Sequence, residues 1–416
     1  MSRRRATLLA VLAALAAACG GSGTSSGGGV VLWHGNVDVE RRALDSEVTK
    51  FNATKPGFKV DARYAGSSDN ALQKVLTAIS ASNYPDVVYL FGSWAPNIAK
   101  SPKLATIGDL SSLDWNDFYP AERKAVTVGG RVVGVPALQD DLALVYNKRL
   151  FEQAGVPLPT ADWTWQDFRA AARRLTNAAQ HRYGWAYVAD GTEDTVWRFI
   201  ALLWQAGGDI LEPDGKHAAF NSAAGVRAGT LLQQMSAQDH SVYLDQGNGK
   251  YLELFNAGKI AMLWTGPWDL SSINSNISYG VQILPKDVSH ASISGPDMWT
   301  VLDRGPHHVK DTLRFMKWFT SPKVHIDYAI KTGVLPIRES ETKLPEYKTY
   351  LKRYPAAKLF VDNLSNVTKS RPAIPAYPEI SKAIGQAVQA ILLGKQQPKA
   401  ALDAAAQQAD SAVAGG

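Results

Sequence analysis

From Val30 onward, apolar runs of strand length alternate with segments of helical period, and no other property of the chain restricts its fold as strongly. Val30-Val31-Leu32-Trp33 is one such run, and Glu40 to Asn52 follows with Leu44, Val48 and Phe51 at helical spacing. Phe58 to Tyr64 alternates as a strand, Ala71 to Ser80 repeats as a helix, and Asp86-Val87-Val88-Tyr89-Leu90 is a buried strand. This alternation predicts an α/β fold with a parallel sheet covered by helices on both faces. The loops after the strand C-termini, where such sheets gather functional groups, are His34 to Asp38, Gly66 to Asp69 and Phe91 to Trp94.

A second region follows Val133-Gly134-Val135-Pro136 and opens with a strand over Leu142-Ala143-Leu144-Val145-Tyr146. Asp162 to Phe168 is a helix start, with Thr164 or Asp162 as cap and Asp167 in the first turn, and helical patterns run on through Met235. The body contains no Pro- or Gly-rich linker long enough to separate independent domains, so the expectation is two lobes joined by short crossings that can hinge. The length of 416 residues, with 45% apolar and 20% charged positions, supports two domains of about 100–200 residues each. Lys and Arg total 44 against 38 acids, a balance of +6. Residues 1–18 hold three arginines and no acid, so without them the balance is 41 − 38 = +3, which does not point to nucleic acid.

Arg3-Arg4-Arg5, the apolar run from Leu8 to Ala18 and the small residues before Cys19 have the form of a secretory signal peptide over residues 1–18. The run is shorter than the roughly 20 residues a membrane-spanning helix requires. Cys19 is the sole cysteine, and its position resembles the bacterial lipobox, in which that cysteine is diacylated; Leu15 stands one place earlier than that motif usually has it. The Gly/Ser/Thr-rich residues 19–29 then form a flexible tether, which would hold the folded body just off the outer face of the cell membrane.

The segment Leu254-Phe255-Asn256-Ala257-Gly258-Lys259-Ile260-Ala261-Met262, continuing through Leu263-Trp264-Thr265-Gly266-Pro267-Trp268, closely resembles the F-x-x-G-K-x-A-M-x-x-x-G-x-W motif of extracellular solute-binding proteins of sugar-type ABC importers. Tyr84-Pro85-Asp86-Val87-Val88, Val145 to Gly155, and Pro375-Ala376-Tyr377-Pro378-Glu379-Ile380 with Ile391 to Gly394 agree in order and spacing. The resemblance implies two α/β lobes exchanging chain segments around a hinge, residues 30–142 plus 296–336 in lobe 1 and 143–295 plus 337–416 in lobe 2. It further implies a monomer without cofactor that binds a small carbohydrate in the cleft and delivers it to ABC permease subunits in the membrane.

Sugars present apolar C–H faces and hydroxyl rims, so their sites combine aromatic platforms with Asp, Asn, Glu or Arg side chains. Among the 12 tryptophans, Trp163, Trp165 and Trp318 fit core positions, whereas Trp268 closes the family motif, where the matching aromatic stacks on the sugar. Trp299 and Asp297 follow Gly295-Pro296 at the crossing back between lobes, where they are expected to face the cleft, and Trp94 lies just past a strand. Asp140, with Asp141 beside it, precedes the strand at the other crossing, where the family places a hydroxyl-binding carboxylate. His34 and Asn36 follow the first strand, Asp69 the second, and Asp194 lies with Trp197 after Gly191-Thr192-Glu193. Arg371 is either a five-donor fork for a ligand or half of a surface pair.

Two alternatives remain open at this point. A glycerol-phosphate or glycerophosphodiester binder would use Arg371, although Ser381 follows Pro378-Glu379-Ile380 where such relatives tend to carry an arginine. A secreted glycoside hydrolase would need two carboxyls about 5–10 Å apart, a distance sequence does not give. The eight histidines have no paired metal-ligand spacing, and neither a phosphate-binding loop nor a nucleophile elbow is present.

Overall fold

The computed structural model describes residues 29–108, 110–247 and 249–415; the signal peptide, Cys19 and all of the tether but Gly29 lie outside them. The chain begins β1 (Val30–His34), α1 (Asp38–Ala53), β2 (Val60–Tyr64), α2 (Ala71–Ser80), β3 (Val87–Phe91), α3 (Ala95–Ala99) and α4 (Pro120–Ala125). A small hairpin of β4 (Thr127–Val128) and β5 (Arg131–Val132) leads to β6 (Val135–Leu138). The second stretch runs β7 (Ala143–Asn147), α5 (Lys148–Ala154), α6 (Trp165–Leu175), β8 (Tyr183–Val188), α7 (Glu193–Gln205), α8 (Ala223–Gln233), β9 (Val242–Asp245), α9 (Lys250–Asn256), β10 (Ile260–Thr265) and β11 (Tyr279–Gln282). The chain then gives β12 (Asp297–Val301), α10 (Pro306–Phe319) and α11 (Pro322–Thr332), and closes with α12 (Pro345–Arg353), α13 (Ala357–Asn363), α14 (Tyr377–Leu392) and α15 (Pro398–Gly415).

Two five-stranded sheets organise these elements into two lobes. The first has the order β2-β1-β3-β12-β6 and the second β11-β7-β10-β8-β9. The expected parallel pairing holds for β1 with β2 and β3, and for β8 with β9 and β10. It does not hold throughout: β12 runs antiparallel to both β3 and β6, and β7 antiparallel to β10 and β11. The returning chain enters each sheet from the opposite end, so both sheets are mixed. The helical stretch expected up to Met235 is likewise interrupted by β8. Gly184 to Val188 are all buried, and a strand covered on both faces shows no alternation that would distinguish it from a buried helix.

Local chemistry explains the helix starts. Thr164 Oγ1 accepts from the Asp167 N–H at 3.2 Å while Asp167 Oδ2 accepts from the Thr164 N–H at 2.9 Å, a reciprocal cap for α6. Thr192 caps α7 by accepting from the Asp194 N–H. In lobe 2, Phe168, Trp185 and Trp264 pack between α6 and the sheet with ring centroids 5.1–5.4 Å apart, and α14 and α15 join α7 and α8 in the same core.

The crossings between lobes lie side by side. The Leu142 N–H donates to Ile293 O at 3.3 Å, Ser292 Oγ to Leu142 O at 2.7 Å, and the Gly295 N–H to Asp140 Oδ1 at 2.8 Å. Asn363 Nδ2 donates to Asp141 Oδ2 at 2.5 Å and so ties the first crossing to α13. After α11, Leu335 bridges to Gln139. The Asp297 end of β12 therefore starts at the junction of the lobes, paired with Phe91 and Leu138.

Trp299 does not face the cleft. Two residues along β12 from Asp297, it is 2% exposed and packs edge-on against Tyr89 (5.2 Å) and Phe319 (5.9 Å) inside lobe 1. The glycine and proline before β12 shape the crossing, but Trp299, on the same sheet face as Asp297, lies two residues further along the strand, away from the junction and over the lobe 1 core. Trp299→Ala is therefore expected to destabilise the protein by about 3–5 kcal/mol, read by denaturant unfolding, without changing ligand affinity in the folded protein; a loss of affinity at full stability would contradict the core assignment.

Candidate ligand-binding cleft

Lobe 2 contributes a wall built on the first turns of α7. The Thr192 cap starts the helix so that Glu193, Asp194, Trp197 and Arg198 lie on one flank. Arg198 is 2% exposed; its Nε donates to Trp264 O and its Nη1 to Asp194 O, both at 3.0 Å, and the guanidinium pairs with the Asp194 carboxylate. Glu193 accepts from Arg371 Nη1 at 2.7 Å, from the Tyr377 hydroxyl at 2.6 Å and from Ser381 Oγ. Arg371 in turn lies 6.0 Å over the Trp197 ring, and Trp197 faces Trp268 with centroids 5.6 Å apart at 42°. Trp268 folds back over the end of its own strand: a Cβ on Gly266 would sit 1.8 Å from its ring, so a residue without side chain is required there. Asp269 accepts from Thr265 Oγ1 at 2.5 Å and from the Tyr251 hydroxyl at 2.9 Å.

Lobe 1 supplies carboxyls. Asp297 accepts from the Tyr89 hydroxyl at 2.5 Å and the Gly92 N–H at 3.3 Å. Three groups from different segments converge on Gly295: a Cβ there would lie 3.1 Å from Arg371 Nη2, 3.2 Å from Asp140 Oδ1 and 3.3 Å from Trp197 Cζ2. The lobes also touch directly, with Asn97 Nδ2 donating to Pro375 O at 2.8 Å.

Electrostatically the junction is dominated by acids. Burial raises the Asp297 carboxyl to about 7, against the lowering effect of Tyr89 and Arg371. Burial and the nearby Asp297 hold Asp140 well above the carboxylate range. Asp69, half-buried after β2, is pushed up to about 7 by desolvation and then by Asp194, with Asp190 and Glu193 adding to it from the opposing lobe. Glu40 on α1 reaches about 7 through burial, Asp269 and Asp297, and Asp269 about 6 through burial. Like charges that face each other across the two lobes favour their neutral forms.

Of the residues expected from sequence, Asp69, Asp140, Asp194, Trp268, Asp297 and Arg371 come together here. Arg371 pairs with Glu193, but inside the protein, with both side chains more than nine-tenths buried, rather than on the surface. His34 and Asn36 are buried within lobe 1, where His34 Nδ1 accepts from the Asn36 N–H and Asn36 Nδ2 donates to the Tyr328 hydroxyl. Trp94 is buried against Phe91 with centroids 4.6 Å apart, in an apolar cluster with Leu72, Val88 and Ile98. Sequence reading missed Glu40, Asp190, Arg198, Tyr251 and Asp269. Only Arg198 left a signal, standing one helical turn after Asp194.

With this architecture in view, comparison with known proteins gives the class. The family model for bacterial extracellular solute-binding proteins matches residues 37–326, and the chain belongs to that family. An ABC transporter solute-binding protein from Thermotoga lettingae, solved with α-D-tagatose, is 26% identical with a TM-score of 0.83, covering 93% of this chain and 100% of that one. The maltose-bound MalE3 of T. maritima has a TM-score of 0.84 at 23% identity, covering 92% and 99%. The sn-glycerol-3-phosphate-binding periplasmic protein of Yersinia pseudotuberculosis is 21% identical over 409 residues, 92% of this chain and 91% of that protein. Family and neighbours are binding proteins, and an extracytoplasmic place fits them; among the described residues no helix is long and apolar enough to cross a membrane.

The raised carboxyls fix a sign for pH. Asp69, raised to about 7 by burial and by Asp194 facing it from the other lobe, is neutral below that value, so the repulsion it meets across the junction is absent at low pH and appears as pH rises through 7. Small-angle scattering of the ligand-free protein should show a more compact particle at pH 5 than at pH 8, with a smaller difference in Asp69→Asn. A particle of constant size over that range would show that these acids do not govern closure.

Proposed function

We propose that this protein captures a carbohydrate in the cleft between its lobes, closes on it, and presents it to the permease of an ABC importer. The observation that carries this reading is the juxtaposition at Gly295: the Trp197 and Trp268 indoles lie beside the Arg371 fork and the Asp140 carboxyl. A flat apolar face next to charged hydrogen-bonding groups suits a pyranose or polyol, whose C–H face stacks while its hydroxyls pair. The tagatose and maltose in the relatives' structures support the same class. A glycerol phosphate, suggested by the Yersinia relative, meets a cleft whose two arginines are already paired with Glu193 and Asp194.

The protein acts by binding and release. Ligand shifts the open–closed equilibrium only by its differential affinity for the closed form, and the permease reads that form. Lobe 1 is residues 30–142 plus 296–336 and lobe 2 residues 143–295 plus 337–416. The monomeric body is carried on a tether acylated at Cys19.

A thermal-shift screen of monosaccharides, disaccharides and glycerol phosphodiesters tests the ligand class: a ligand at 100 times its dissociation constant adds about 2.7 kcal/mol. Trp268→Ala should abolish the sugar-induced shift with the ligand-free melting curve retained; an unchanged affinity would remove Trp268 from the site. Cys19→Ala should move the protein from the membrane fraction to the medium, whereas a variant that stays membrane-bound would refute the anchor.

A further inference from the structure

The end of lobe 1 farthest from the cleft is rich in cations, and the chain enters the fold there. β1 and β3 run parallel, and Phe91 at the end of β3 meets Asp297 at the junction, so the Val30 and Asp86 ends of these strands lie at the opposite end of the lobe. Buried Asp86 gathers that end: its Oδ2 accepts from the Val31 N–H at 2.7 Å and from Arg304 Nη1 at 3.1 Å, and His308 Nδ1 lies 2.7 Å from its Oδ1. The first turn of α10 is thereby fixed beside the start of β1. Further along α10, Arg314 Nη1 donates to Pro56 O at 2.9 Å, and two residues past Gly57 the Lys59 carbonyl accepts from the Val30 N–H at 2.8 Å. Lys310, Arg314 and Lys317, spaced i, i+4 and i+7, share one face of α10. They rim a groove of about 670 Å³ with Pro306, Val309 and Leu313 along it. Lys59, Lys310, Arg314 and Lys317 are exposed, and none of them forms an ion pair among the described residues. From Asp303 to Lys323 the sequence holds five cations against two acids, and Asp303 already accepts from the Gly305 N–H.

What this face meets is limited by the chain that precedes it. From Cys19 to Gly29 is 29 − 19 = 10 residues, none of them charged. Fully extended they reach about 35 Å, and as a Gly/Ser-rich coil about 17 Å. Attraction between charges decays within about 8 Å at physiological salt, so among the cations of the body those beside the tether's end are the ones a bilayer surface meets. We propose that this end of lobe 1 docks on anionic phospholipid headgroups of the membrane that holds the tether, with Lys59, Lys310, Arg314 and Lys317 against the phosphates and the cleft turned away from the bilayer. The proposal rests on the Cys19 anchor and is independent of the ligand. Docking of this kind holds the body in one orientation, mouth toward the medium, and is weak enough to be given up when the closed protein turns to the permease.

Co-sedimentation of the unacylated chain from Gly20, which keeps every described strand and helix, with lipid vesicles tests the docking. The chain should bind vesicles of phosphatidylcholine containing about one third phosphatidylglycerol and not pure phosphatidylcholine, and raising NaCl from about 0.1 to about 1 M should release it. Each cation at an anionic surface is worth about five-fold in partitioning, so Lys59→Gln/Lys310→Gln/Lys317→Gln should bind roughly a hundred-fold more weakly. Lys148→Gln/Lys216→Gln/Lys395→Gln in lobe 2 takes the net charge from the same 41 − 38 = +3 to zero and should bind like the wild type. Equal binding to both vesicle types would overturn the docking, and equal loss in the two triple variants would overturn its assignment to lobe 1. The lipid and salt comparisons need no variant, so they decide the docking even if a triple variant lacks a cooperative melting transition. Because the chain tested carries no acyl group, its failure to bind leaves the Cys19 anchor to be judged by fractionation alone.

Discussion

The hydrogen bond from the Gly295 N–H to the Asp140 carboxyl joins the two adjacent crossings between the lobes, and much of the molecule is arranged around it. The same carboxyl that ties the crossings together also faces the interlobe junction, beside Arg371 and Trp197. Asp140 therefore stands where two crossings between the lobes meet, and a change in its charge or hydrogen bonding is felt by both of them.

The balance of charge at this junction sets what closure demands. Glu40, Asp69, Asp140 and Asp297 stand on one side or at the crossing, Asp190, Glu193, Asp194 and Asp269 on the other, with Arg198 and Arg371 as the cations named among them. Closing the empty protein at neutral pH brings like charges together and strips them of water, an unfavourable step that protons or a donor-rich ligand offset. The aromatic pair contributes differently, through area and shape, and is held ready by local constraints: Gly266 lets Trp268 fold back, and the Thr192 cap fixes where Trp197 stands on α7. On the proposed carbohydrate reading, pre-positioned platforms lower the ordering cost of binding, and the acids supply discrimination.

Much of the fold was legible in residue order. The first three strands and the helices between them follow from the spacing of Leu44, Val48 and Phe51 and from the alternation before Tyr64. The α6 start was legible because Thr164 and Asp167 form a local motif. The strand β8 was not, since a run buried on both faces has no period of its own. Trp299 was misplaced because the glycine and proline before it mark a crossing, but how far along the strand the junction ends and the lobe 1 core begins is set by the elements packed on β12, Tyr89 and Phe319 among them.

The amino-acid sequence by itself determined the class of architecture and the family, because apolar periodicity and the Phe255 to Trp268 motif are local properties that survive without coordinates. It also marked Asp140, Trp268 and Arg371 as residues near a crossing or a motif. Only the tertiary structure decided which acids meet. Glu122 and Glu40 sit on ordinary-looking helical segments more than a hundred residues from Asp297, and it is the folding of lobe 1 that brings both within reach of its charge. The physical reason is that hydrogen-bond partners, desolvation and Coulomb energy depend on distance in space, which a linear pattern of residue types does not carry.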